Sequence, residues 1–151
     1  MTVPYEKQRV LPLSNLEATE ALGAGLATQF RRGLVFLRGP LGAGKTTLVR
    51  GWLRALGYDG PVKSPTFTLV EPYEIDSVQI LHFDLFRIAN PSEIEYIGML
   101  EHLETSQLQF VEWPERGENH LPKPDLDVQL EYDGPCRQAM ISVENVKQKL
   151  V

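Results

Sequence analysis

The chain has 151 residues, of which 42% are hydrophobic, 23% charged and 9% aromatic, an ordinary globular composition at a length suited to one domain. Fifteen Lys and Arg against 20 Asp and Glu leave a formal net charge of −5, which argues against a free-standing nucleic-acid binder because phosphate neutralisation needs a basic face. A single cysteine, Cys136, excludes an intramolecular disulfide and any multi-cysteine metal site. No run approaches the ~20 apolar residues of a membrane span. Met1 to Leu13 carries Glu6, Lys7, Gln8 and Arg9 and lacks a signal-peptide core. The expectation is a cytoplasmic protein with no membrane partner, folded as one domain over residues 1–151.

In chain order, Ser14-Asn15-Leu16-Glu17 has capping-box spacing with Ser14 at the N-cap, and opens a helical pattern of Ala18, Leu22, Leu26 and Phe30. Gly23 and Gly25 weaken that helix, so packing must hold it. Gly33 ends it, and Leu34 to Leu37 is a short apolar run that predicts a buried strand. After a glycine-rich turn, Thr46 to Leu56 predicts a second helix with Gly57 as its C-cap. Thr66 to Ile75 and Val78 to Phe86 are β-like, with Asp76-Ser77 as the turn between them. Asn90 and Pro91 start a further helix, as N-cap and N1, running to about Leu103. Leu108 to Trp113 is another apolar run. Leu126, Val128, Leu130 and Tyr132 alternate, and Asp133-Gly134-Pro135 turns the chain into a strand near Arg137 to Val143. Helices intermixed with strands predict an α/β class with a mixed central sheet.

The strongest chemical signal is Gly39-Pro40-Leu41-Gly42-Ala43-Gly44-Lys45-Thr46, which fits G-x-x-x-x-G-K-[ST] with a strand before it and a helix after it. Such glycines let successive N–H groups point inward around phosphate oxygens, and the helix N-terminus adds partial positive charge. In that setting Lys45 reaches the β- and γ-phosphates, and the Thr46 hydroxyl ligates Mg²⁺. Thr47 divides between a phosphate contact and a plain backbone hydrogen bond in the first helical turn. No Asn-Lys-x-Asp guanine reader is present, so adenine is the expected base and ATP the expected nucleotide. Two acids end apolar strands and are candidate metal-side and catalytic partners of Lys45: Asp84 after Ile80 to Phe83, and Glu112 after Phe110-Val111. Plain readings compete: a turn residue for Asp84, a solvated strand end for Glu112. Lys45 is taken as a surface-loop residue, His82 as a hydrogen-bonded core residue, and Cys136 as small packing. The acidic residues from Glu93 to Glu104 form a solvated helix face or, second, a docking surface.

Four segments taken together are more specific than the phosphate loop. Gly39 to Thr47 reads GPLGAGKTT, Lys63 to Phe67 reads KSPTF, His82 to Arg87 reads HFDLFR and Glu112 to Glu115 reads EWPE. In this order and spacing they resemble the TsaE (formerly YjeE) family of small bacterial ATPases, over nearly the whole chain. The resemblance implies a P-loop NTPase-like three-layer fold. It also implies a weak ATPase needed for threonylcarbamoyladenosine formation at position 37 of tRNAs that read codons beginning with A. Family members act with the TsaB–TsaD pair, where TsaD makes the transfer and hydrolysis resets the complex; tRNA is met through that complex.

Carried over residue by residue, Gly39, Gly42, Gly44, Lys45, Thr46 and Thr47 match the phosphate loop, with Pro40, Leu41 and Ala43 lining it. Ser64, Pro65 and Thr66 match a switch-like segment near the γ-phosphate, Asp84 the Walker B-like position, and Glu112-Trp113 the second acidic motif. Glu112 is expected to hold Mg²⁺ directly with Thr46, and Asp84 to hold or orient water. Arg137 falls where relatives often carry an Arg near the nucleotide, and stacking on adenine is the role considered for it. Pro40 stands where relatives often have Asp or Asn, and Phe86 replaces a frequent Tyr. Two alternatives remain: a small-molecule kinase, for which neither Arg lid nor acceptor pocket is identified, and a non-hydrolysing nucleotide-gated adaptor.

Overall fold

The computed structural model describes residues 8–144. Seven strands form one sheet: β1 (Gln8–Leu13), β2 (Gly33–Arg38), β3 (Val70–Ile75), β4 (Val78–Asp84), β5 (Leu108–Glu112), β6 (Leu126–Asp133) and β7 (Cys136–Val143). Their order is β1-β7-β6-β2-β5-β4-β3. The central four, β6, β2, β5 and β4, are parallel, and antiparallel pairs flank them on both sides. The sheet is mixed, as expected from the sequence.

Alternation along the strands sorts the core into two layers. Val35, Leu37, Leu108, Phe110, Val128 and Leu130 face α1 (Leu16–Gln29) and α2 (Lys45–Ala55), which bring Leu26, Phe30, Leu48, Trp52 and Leu53. Leu34, Phe36, Leu81, Phe83 and Val111 face the opposite way, under α3 (Glu93–Tyr96) and α4 (Met99–Thr105), whose Ile94 and Met99 are buried. The two large helices approach until backbone meets backbone. A Cβ at Gly23 would lie 2.1 Å from the Leu48 carbonyl oxygen, and one at Gly51 would lie 2.0 Å from that of Glu20. The weakness that Gly23 brings to α1 is the condition for its contact with α2. Gly25, by contrast, faces open space.

Several boundaries differ from the sequence expectation. Asn15, not Ser14, caps α1, its side chain accepting from the Ala18 N–H at 2.8 Å. The physical reason lies upstream: β1 pairs with β7 as far as Leu13, so the helix can begin only after the connection has turned. That strand has no counterpart in the sequence reading. Thr66 to Leu69 stays outside β3, with Leu69 at φ 70° and its carbonyl accepting from the Asp84 N–H. The helix expected to run to about Leu103 is broken at Gly98, whose φ of 70° is left-handed.

Candidate functional site

The parallel strands end at one edge of the sheet, where α/β folds open a crevice. Pairing aligns Leu37 with Glu112 and Glu112 with Asp84, one row across β2, β5 and β4. The chain leaving β2 therefore starts its phosphate loop beside the two acids. Gly39, Gly42 and Gly44 take φ of 142°, 80° and 112°, conformations in which a side chain would be strained. A Cβ at Gly39 would also meet the Leu130 carbonyl oxygen at 2.4 Å. Ala43 is buried and its N–H donates to the Pro40 carbonyl, closing the turn, while Pro40 itself is exposed. Gly44 provides no side-chain cap, so the leading N–H groups of α2 are left for a ligand.

A cleft of about 200 Å³ is lined by Leu41, Gly42, Gly44, Lys45, Thr46, Thr47, Ser64, Thr66, Asp84 and Glu112. Most of the sequence-predicted site thus converges on one space. Lys45 is not a surface residue: it is 5% exposed. Its ammonium donates to the Gly39 carbonyl, lies 3.9 Å from Glu112 Oε1 and sits 4.4 Å from the centre of the Trp113 ring. Burial pushes its pKa down, against the pull of Glu112, Asp84 and Glu115. Trp113 holds a left-handed backbone at φ 55°, which turns the chain directly after Glu112.

The two acids are held differently. Asp84 is 2% exposed; its Oδ1 accepts from the Phe86 N–H at 2.8 Å and its Oδ2 from the Thr66 hydroxyl at 2.9 Å. Burial first, and the neighbouring Glu112 charge further down, raise its pKa, while the Phe86 and Thr66 hydrogen bonds oppose the rise. Glu112, 3% exposed, has Oε2 on His82 Nε2 at 2.6 Å, leaving Oε1 facing Lys45. Among the described residues no cluster of three or more His, Cys, Asp or Glu side chains could hold a metal by itself. A hydroxyl and one or two carboxylates beside a phosphate cradle are instead the oxygen donor set that suits Mg²⁺ shared with phosphate.

Arg137 does not line this cleft. It lies on the other side of the loop, in a second pocket of about 190 Å³ with Leu13, Asn15, Thr19, Gly42, Thr47 and Cys136 among its walls. Its guanidinium sits 4.2 Å from the centre of the Tyr132 ring. The Tyr132 hydroxyl donates to the Leu41 carbonyl at 2.6 Å, pinning the loop from outside. The two pockets share Gly42, Gly44 and Thr47, so they lie against the same phosphate loop. Thr19, Asn15 and Tyr132 were missed by sequence reasoning. The β1–β7 pairing, which sets Leu13 beside Arg137, brings these separate segments together, and no local pattern announces it.

A glycine-rich strand-to-helix cradle, a buried lysine at the helix start and two acids at adjacent strand ends define a P-loop nucleotide-binding α/β protein. Residues 13–139 match the family described as "Threonylcarbamoyl adenosine biosynthesis protein TsaE". A tRNA threonylcarbamoyladenosine biosynthesis protein TsaE of Haemophilus influenzae is 43% identical over 119 residues, covering 78% of this chain and 75% of that one. Its namesake in Synechocystis is 41% identical over 109 residues, 69% of each chain. The crystal structure of Bacillus subtilis YdiB superposes with a TM-score of 0.74 at 27% identity, covering 91% of this chain and 87% of that one. The chain belongs to the TsaE family.

Proposed function

We propose that this protein is the ATP-binding, ATP-hydrolysing subunit required for threonylcarbamoyladenosine modification at position 37 of tRNAs reading codons that begin with A. It acts with a TsaB-like and a TsaD-like partner, the latter making the transfer. The observation that carries the nucleotide chemistry is the convergence of Lys45, Thr46, Asp84 and Glu112 on one cleft at the mouth of the phosphate loop. Membership of the TsaE family supports the place in tRNA modification.

The loop N–H groups and the start of α2 hold the triphosphate, and the buried Lys45 ammonium moves from the Gly39 carbonyl to the β- and γ-phosphates. Bound Mg²⁺ supplies charge neutralisation of the phosphates. Thr46 and Glu112 Oε1 would hold the metal: both Asp84 oxygens accept hydrogen bonds, whereas Oε1 is engaged by the looser 3.9 Å ion pair with Lys45. Asp84, fixed at both oxygens by Phe86 and Thr66, orients water at the γ-phosphate end. The second pocket takes the adenosine end, with Arg137, Thr19 and Asn15 in its wall.

The net charge of −5 leaves most tRNA contacts to the partners. The deciding experiment measures ADP release by the chain alone and with the TsaB–TsaD pair, alongside ATP-dependent co-purification of the three. Slow release that rises with the partners supports the reading. Release absent in both settings refutes the ATPase assignment and leaves a nucleotide-gated adaptor.

A further inference from the structure

His82 is fully buried in β4, two residues before Asp84 and diagonal to Glu112 across the parallel β4–β5 pair. Its one polar contact among the described residues runs from Nε2 to Glu112 Oε2 at 2.6 Å. An ionised carboxylate only accepts hydrogen bonds, so Nε2 carries the proton and donates. Nδ1 has no partner among the described residues, and the ring lies edge-on to Phe110 at 6.1 Å in a core of Ile80, Phe110 and Trp52. A side chain with one orphaned polar atom is a poor way to fill such a core, because burying that atom carries a desolvation cost. Packing therefore does not account for a histidine here. Its contact with Glu112 does.

We propose that His82 is a positioning residue for the nucleotide reaction: by clamping Glu112 Oε2 it fixes the carboxylate plane and presents Oε1 to the metal end of the cleft. Glu112 would otherwise have three side-chain torsions to order on each metal-binding event. Hydrogen-bonded supports of carboxylate ligands tune affinity in this way, and their loss weakens metal binding or activity by about 10- to 100-fold. The inference rests on the assignment of Glu112 as the metal-side acid.

The test is calorimetric titration of ATP, with Mg²⁺ or with EDTA, into the full chain and into His82→Leu, His82→Gln, His82→Asn, Glu112→Gln and the His82→Leu/Glu112→Gln double variant. Thermal melts accompany each. Gln sets an N–H near the place of Nε2, whereas Asn is too short to reach Glu112. His82→Leu and His82→Asn are expected to lose about 10-fold or more of the Mg²⁺-dependent gain in ATP affinity. His82→Gln should keep most of it, and affinity in EDTA should hold in all three. The double variant should bind no worse than Glu112→Gln alone. Should His82→Leu fail to melt cooperatively, the Gln and Asn pair carries the comparison. A full Mg²⁺ gain in His82→Leu or His82→Asn beside its loss in Glu112→Gln overturns the role of His82 and leaves the Glu112 assignment standing. A full gain in Glu112→Gln overturns both. Equal losses in Gln and Asn, matched by equal losses in EDTA, make His82 a packing residue and overturn the proposal.

Discussion

Lys45 is the residue on which the phosphate assignment turns, and Lys45→Met is the substitution that isolates its charge. Methionine keeps an unbranched stem against the Trp113 ring and removes the ammonium from a site only 5% exposed. Two effects on the empty protein oppose each other. Burial of the charge is relieved, while its hydrogen bond to the Gly39 carbonyl and its attraction to Glu112 and Asp84 are lost. The apo melting temperature should therefore move little. ATP binding should not escape so lightly, because a hydrogen bond to a charged group contributes about 1.5–3 kcal/mol. That loss corresponds to a roughly 10- to 150-fold weaker Kd. At ATP one hundred times the native Kd, ligand binding stabilises the native protein by about 2.7 kcal/mol. A thirtyfold weaker variant at the same concentration keeps about 0.9 kcal/mol. Urea denaturation with and without ATP reads that difference directly. Equal ATP-induced stabilisation of the native chain and Lys45→Met would refute the role of Lys45 in phosphate binding.

Three further outcomes follow from the same geometry. Gly51→Ala, forced against the Glu20 carbonyl, should cost about 1–3 kcal/mol in urea unfolding, and Gly25→Ala, in open space on the same pair of helices, should gain about 0.4–1 kcal/mol. Similar effects at both positions would contradict the close helix contact. Asp84 holds its proton more tightly when folded than its ordinary value of 3.8 implies, so native stability falls as pH rises from 3.8 through the raised value. Asp84→Asn lacks that titration, and its stability relative to the native chain should be greater at pH 7 than at pH 3.5; a constant difference would show that Asp84 is not perturbed. Arg137→Ala should weaken ATP by about 0.5–2 kcal/mol while leaving inorganic tripolyphosphate binding unchanged, and equal weakening of both would move Arg137 to the phosphate end.

What the sequence discloses here is mostly what neighbouring residues decide together. The phosphate loop is one contiguous stretch, and its glycines carry the left-handed angles the motif requires. Asp84 and Glu112 were visible because each closes an apolar run, and parallel pairing then sets them side by side. β1 was hidden because Gln8, Arg9 and Pro12 make an edge strand without a clear apolar alternation, and its partner β7 lies more than one hundred residues away. The α1 cap shifted by one residue because Ser14 and Asn15 are both good caps and the strand before them chose between them. Burial of Lys45 was equally illegible: its motif sits in a loop, but the aromatic that covers it is Trp113, far along the chain.

The contact between α1 and α2 has a mechanical consequence. With main chain against main chain at Gly23 and Gly51, neither helix can slide along the other without opening a void or a collision. The cradle at the start of α2 and the wall formed by Asn15 and Thr19 at the start of α1 therefore belong to one rigid block. Two of the walls around the phosphate loop are thus set in advance. The third wall is of another kind: Thr66 leans on Asp84 through one hydrogen bond, and exposed Phe67 rests against the Arg87 guanidinium. The helices are locked main chain to main chain, whereas the 64–69 segment is tied down by separate hydrogen bonds: the Thr66 hydroxyl donates to Asp84, the Asp84 N–H to the Leu69 carbonyl, and the Leu69 N–H to the Pro65 carbonyl.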